Sequence, residues 1–145
     1  MMRKELGRTL AAALCLCALA AASPARASDE RERIQRLVDV LKSQLAIPQP
    51  VHVAIVQTNP KLFSVAPVEH DGGTFLLSVE EDFAEALSDV ELKAAVAHEL
   101  GHVWIYTHFP YLQTEELAND IASRVISRDT LAPLYDKVWK KAAAE

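Results

Sequence analysis

The sequence predicts an α+β domain: a short sheet of two or three strands packed on helices, with further helices towards both ends of the chain. Three observations predict it. Ile34, Leu37, Val38, Leu41 and Leu45 fall on one face of a helix before the first β-branched run. Val51–Val56 and Thr74–Val79 are short, apolar stretches of strand composition. From residue 80 onwards the apolar spacing is helical again. The 145 residues, 50% hydrophobic and 24% charged, suffice for one domain with a core and are not the composition of a disordered chain.

The first residues read as a leader. Arg3, Lys4 and Arg8 form a basic start, Leu10 to Ala22 is apolar, and Ala25-Arg26-Ala27 gives small residues at a cleavage position before Ser28. This is the pattern of a Sec-type signal peptide, residues 1–27, leaving a domain over 28–145. The apolar run falls short of the ~20 residues that a spanning helix needs, so no membrane span is expected in the mature chain. Cys15 and Cys17 each follow a leucine, which does not fit a lipoprotein signal, and both leave with the leader. An exported chain without cysteines suits a periplasmic or secreted location. The leader also holds four of the 15 basic and one of the 20 acidic groups, so 11 basic and 19 acidic groups remain, a net charge of −8. That balance does not favour nucleic acid or an anionic membrane surface as partner.

Along the mature chain, residues 29–45 form the first helix, stopped by Pro48 and Pro50. Val51–Val56 is a strand with His52 facing outward. A poorer strand over residues 62–68 is interrupted by Pro67. His70-Asp71-Gly72-Gly73 signals a turn, and Thr74–Val79 is the last strand, expected at an edge of the sheet. A short acidic helix over residues 80–87 carries Phe83 and Leu87. Ser88 and Glu91 then have the spacing of a capping box. The helix it starts should bury Leu92, Ala95, Val96, Leu100 and Val103, with Pro110 beyond its end. Two more helices are expected, over about residues 114–127 and 130–143, the last turning Leu131, Leu134, Val138 and Trp139 inward; Trp104 is also expected in the core.

The chemistry is concentrated in the long helix. His98-Glu99-Leu100-Gly101-His102 places two imidazoles four residues apart, hence on one helix face, where both can reach one cation. Glu99 is offset towards a water on that cation. This is the spacing of a zinc peptidase, which needs a third protein ligand and one open position. His108 has the sequence distance of a third metzincin histidine, but the glycine that turn requires is replaced by Ile105, and the only methionines are Met1 and Met2. A glutamate on the next helix is the other source. Glu115 shares its face with Ala118, Asn119 and Ala122, a small-residue seam that allows close approach, and Asn119 can hold a ring nitrogen of His98. Glu116, paired with Asp120, is the alternative.

The segment Glu91–His102 resembles the active-site helix of HtpX-type and CAAX-prenyl-protease-type peptidases, and the Glu115-to-Ala122 segment is similar to the ImmA/IrrE-type gluzincins. The resemblance spans about residues 74–126. It implies a small zincin-like domain and a zinc-dependent peptidase, with His98, His102 and Glu115 as Zn²⁺ ligands and Glu99 as general base. The expected substrate is a polypeptide added as a strand along an edge near Thr74 to Val79. Tyr106, His108, Tyr111, Arg124 and Tyr135 are candidates for stabilising the oxyanion. The alternative function is a binding or regulatory module that keeps the fold and the zinc without turnover.

Overall fold

The computed structural model describes residues 24–142 apart from residue 72. The expected leader up to residue 23, Gly72 of the expected turn and the side chain of Trp139 lie outside the described residues. The chain runs through helix α1 (Pro24–Gln44), strands β1 (Val51–Val56), β2 (Phe63–Pro67) and β3 (Phe75–Glu80), and helices α2 (Glu81–Ala86), α3 (Asp89–His108), α4 (Glu115–Ala122) and α5 (Leu131–Ala142). Single 3-10 turns at Pro110–Leu112 and Arg128–Thr130 join the last three helices. Among the described residues, no helix is long and apolar enough to cross a membrane.

The three strands are ordered β1-β3-β2, with β1 parallel and β2 antiparallel to β3. This corrects the expected edge at Thr74–Val79: that segment is the middle strand, hydrogen-bonded on both sides. Its alternation fits the position, with Phe75, Leu77 and Val79 buried and Leu76 exposed. The edges belong to β1 and β2. The bonds Val68 N–H to Thr74 C=O and Glu80 N–H to Leu62 C=O bracket the β2–β3 ladder. Antiparallel pairs alternate between bonded and unbonded, so Ser64 and Ala66 bond inward. The carbonyls of Phe63, Val65 and Pro67 therefore point to the free edge, while the Phe63 N–H bonds the Lys61 carbonyl at 2.7 Å.

α3 is the axis of the domain. Ala94, Val96, Ala97, Val103 and Ile105 are fully buried, and Leu92, Ala95 and Leu100 nearly so. A helix apolar on all sides must be covered on all sides, and α1, β2, α4 and α5 provide that cover. Its start is the expected capping box: the Ser88 hydroxyl accepts from the Glu91 N–H at 3.4 Å, and the Glu91 carboxylate accepts from the Ser88 N–H at 2.8 Å. The helix continues through the buried Ile105 to His108, consistent with the β-branched residue there, and Pro110 follows its end. α1 packs Ile34, Val38 and Leu41, all fully buried, against this core. α4 ends at Ala122, well short of the expected residue 127, because the Ser123 hydroxyl donates to the Asn119 carbonyl at 2.7 Å and the next N–H groups close short turns.

Two constraints fix the helices around α3. The first is steric: a Cβ on Gly101 would stand 3.0 Å from Ala118 Cα and closer still to its carbonyl oxygen. The second is ionic. Lys137 of α5 donates to Glu91 at 2.8 Å and to the Ala86 carbonyl at 3.2 Å, and Lys141 pairs with Glu80, which itself caps α2 by accepting from the Phe83 N–H at 2.9 Å.

Gly101→Ala opposes two effects. Alanine favours a helix by about 1 kcal/mol over glycine, but the new methyl group meets backbone that cannot turn aside. The expected net result is a loss of about 1–3 kcal/mol in urea unfolding; a gain would show that α3 and α4 are not held this closely. The Lys137 and Ser88 hydrogen bonds hold the Glu91 carboxyl at about 2, below its ordinary 4.5. A lowered folded-state pKa gives stability that is present above the unfolded value and lost as pH falls towards the folded one. The unfolding midpoint of the parent should therefore fall more steeply between pH 4.5 and about 2 than that of Glu91→Gln; parallel curves would remove this ion pair from the account.

Candidate metal centre

α3 presents His98 and His102 on one face, one turn apart, with ring centroids 4.8 Å apart and the rings nearly perpendicular. Their Nε2 atoms are 3.2 Å apart. Glu115, in the first turn of α4, closes the triangle: its Oε2 is 3.0 Å from His98 Nε2 and its Oε1 is 3.4 Å from His102 Nε2. These three side chains form the His/Glu cluster able to hold a metal ion among the described residues. The close packing at Gly101 and Ala118 makes the triangle possible, since Glu115 lies one turn before Ala118 on the same helix face.

The outer ring nitrogens determine what the inner ones can do. His98 Nδ1 is 2.8 Å from Asn119 Oδ1, and His102 Nδ1 is 3.0 Å from Gln113 Oε1. An amide oxygen only accepts, so each Nδ1 carries the hydrogen and each Nε2 is left with its lone pair. The Gln113 amide is oriented independently, because its Nε2 donates to the His102 carbonyl at 3.1 Å. Two lone pairs facing each other at 3.2 Å, with a carboxylate beside them, have no hydrogen to share. A cation between the three atoms satisfies all of them.

Glu99 is the buried acid of the site, about 9% exposed. Burial pushes its carboxyl up from the ordinary carboxylate value, while His98, His102 and a hydrogen bond from the Val65 backbone pull it back. Val65 belongs to the free edge of β2, so the edge strand and the acid meet directly. Beside them opens a cleft of about 450 Å³ lined by Glu99 and the three clustered side chains. Phe63, Phe75 and Phe83 supply apolar wall on the sheet and α2 side, and Leu134, Tyr135 and Val138 of α5 line it as well.

The remaining sequence candidates separate clearly. Glu116 is exposed and lies outside the cluster, and Asp120, its expected companion, pairs with Arg128 at 2.6 Å. His108 stacks on Trp104, centroids 4.0 Å apart, and its Nδ1 donates to the Trp104 carbonyl at 2.8 Å. Arg124 lies over the same indole, 4.9 Å from the ring centroid. Tyr111 is 99% exposed. Tyr106 lines the cleft with its ring edge-on to Phe75. Tyr135 also reaches the site, but its hydroxyl donates to Asn119 Oδ1 at 2.6 Å, behind His98. Sequence reasoning missed Gln113 altogether and gave Gly101 no role; the glycine within His-Glu-Leu-Gly-His, facing the alanine seam, was the available signal for the latter.

The architecture, a three-stranded mixed sheet beside a histidine-bearing helix and a glutamate-bearing helix, is that of a small zincin-like domain. Among solved structures the chain is similar to the crystal structure of the metallopeptidase zymogen of Pyrococcus abyssi abylysin, with a TM-score of 0.53 and 18% identity. The match covers 74% of this chain and 93% of that one, and at this identity it shows the fold alone. No protein-family model and no curated protein matches the chain.

Zinc stoichiometry separates the two glutamates. Glu115→Ala should lose the bound metal or weaken it by at least about 100-fold, whereas Glu116→Ala should bind as the parent does. Equal retention in the two variants would reject Glu115 as a ligand.

Proposed function

We propose that the chain is an exported zinc metallopeptidase of the gluzincin type, with His98, His102 and Glu115 as ligands and Glu99 as general base. The observation that carries this reading is the convergence of two Nε2 lone pairs and the Glu115 carboxylate beside a buried acid in an open cleft. Ligands at about 2.0–2.1 Å around a tetrahedral ion lie roughly 3.4 Å from one another, close to the 3.0–3.4 Å edges of this triangle. Three protein ligands of N, N, O type with a fourth position open suit catalytic zinc. The resemblance of the two motif segments to gluzincins and the description of the structural neighbour as a metallopeptidase zymogen support the same class.

Bound there, zinc supplies a Lewis acid for a peptide carbonyl and lowers the pKa of a water towards neutrality. The residues do the rest. Glu99, oriented by the Val65 backbone, takes the proton of the attacking water on its carboxylate and returns it to the departing amine. The outward carbonyls of Phe63, Val65 and Pro67 accept from the N–H groups of an extended polypeptide along β2 rather than along β3. The phenylalanines of the cleft take an apolar side chain and exclude water from the reacting carbonyl. Export follows from the signal-like residues 1–27.

The test is cleavage of an unfolded polypeptide by the zinc-loaded protein and by Glu99→Gln. The variant should keep one equivalent of zinc and lose at least about 100-fold in rate. A variant as active as its parent removes Glu99 from the mechanism. A zinc-loaded parent that cleaves nothing favours a binding module instead.

A further inference from the structure

The two histidines are oriented by two amides, and the amides are held differently. Gln113 is locked by donating to the His102 carbonyl. Asn119 is locked from outside its own helix. Its Oδ1 accepts from His98 Nδ1 at 2.8 Å and from the Tyr135 hydroxyl at 2.6 Å. An amide can present either its oxygen or its nitrogen to a neighbour by turning over. Turned over, Asn119 would donate to His98 Nδ1, force the hydrogen onto Nε2 and remove the lone pair from the cluster. Tyr135 favours the observed state: there its hydrogen goes to Oδ1 at 2.6 Å, whereas beside the amide nitrogen the phenol would accept and lose that bond, the ring nitrogen 3.2 Å away being already taken by the amide.

We propose that Tyr135 is a positioning residue that fixes the Asn119 amide, and through it the metal-binding tautomer of His98, so that the C-terminal helix is a working part of the metal centre. This rests on the metal-binding reading above. The helix is suited to the task, being anchored independently through Leu134 in the core, Lys137 on Glu91 and Lys141 on Glu80. The Tyr135 ring packs edge-on to His98, centroids 5.9 Å apart. Removal of the hydroxyl alone therefore leaves the packing in place.

The experiment measures zinc affinity by chelator competition at neutral pH, with cobalt(II) absorption as a second view of the ligand geometry. Tyr135→Phe should bind zinc about tenfold more weakly than the parent, while the metal-free protein still unfolds cooperatively. The decisive comparison uses Asn119→Asp, whose two oxygens both accept and leave no orientation to guard. In that background Tyr135→Phe should change affinity by less than about twofold. No loss in the parent background, or the same loss in both backgrounds, overturns the proposal while leaving the metal site standing. A parent protein that takes up no zinc overturns both.

Discussion

The close contact between α3 and α4 is the constraint on which the site depends. Helices packed through ordinary side chains keep their axes about 8–10 Å apart. Here Gly101 faces the Ala118 backbone with no room for a methyl group between them. His98, Gly101 and His102 share the α3 face, and Glu115, Ala118 and Asn119 share the opposing face of α4. The approach that requires a glycine also sets the Glu115 carboxylate 3.0 and 3.4 Å from the two imidazoles and Asn119 within 2.8 Å of His98. A wider crossing would open the ligand triangle and break the outer hydrogen bond together.

The electrostatics of the site follow from that geometry. Glu99 is buried where an unpaired carboxylate costs several kcal/mol, and a hydrogen bond from the Val65 backbone at the β2 edge offsets part of that cost. Burial wins, so the carboxyl is pushed above its ordinary value. Glu115, by contrast, is largely exposed, and its place beside the two imidazoles is set by the docking of α4.

Much of this was legible in the sequence because it is local. The His-Glu-x-x-His spacing, the Ser88–Glu91 box and the alanine register of Glu115 each lie within one or two helical turns, and each corresponds to a feature observed in the structure. The strand order was not legible. Both Val51–Val56 and Thr74–Val79 alternate in the same way, and only the pairing of residues far apart in the chain makes the second the middle strand. Gln113 itself, and the contact of Tyr135 with Asn119, were illegible for the same reason. They come from a turn and from a separate helix, and no periodicity links either to the histidine it helps to orient. The shortness of α4 depends on one hydroxyl, Ser123, folding back on the helix it ends.

An eight-residue helix has little stability of its own in water, since about 12–15 residues are needed before helix propagation offsets nucleation. α4 nevertheless carries Glu115 of the His/Glu cluster and the amide that accepts from His98 Nδ1. It is held by the Thr114 cap at 3.2 Å, by Ala118, Ile121 and Ala122 packed into the core, and by the hydrogen bonds of Asn119 to α3 and α5. The ordering of α4 and the assembly of the metal centre are consequently one equilibrium. A ligand shared by His98, His102 and Glu115 would stabilise the helix, and the close approach at Gly101 would contribute to affinity for that ligand. In a domain with one core and three strands, the fold supplies the rigidity at α3, and the docking of α4 against it assembles the His98, His102 and Glu115 cluster.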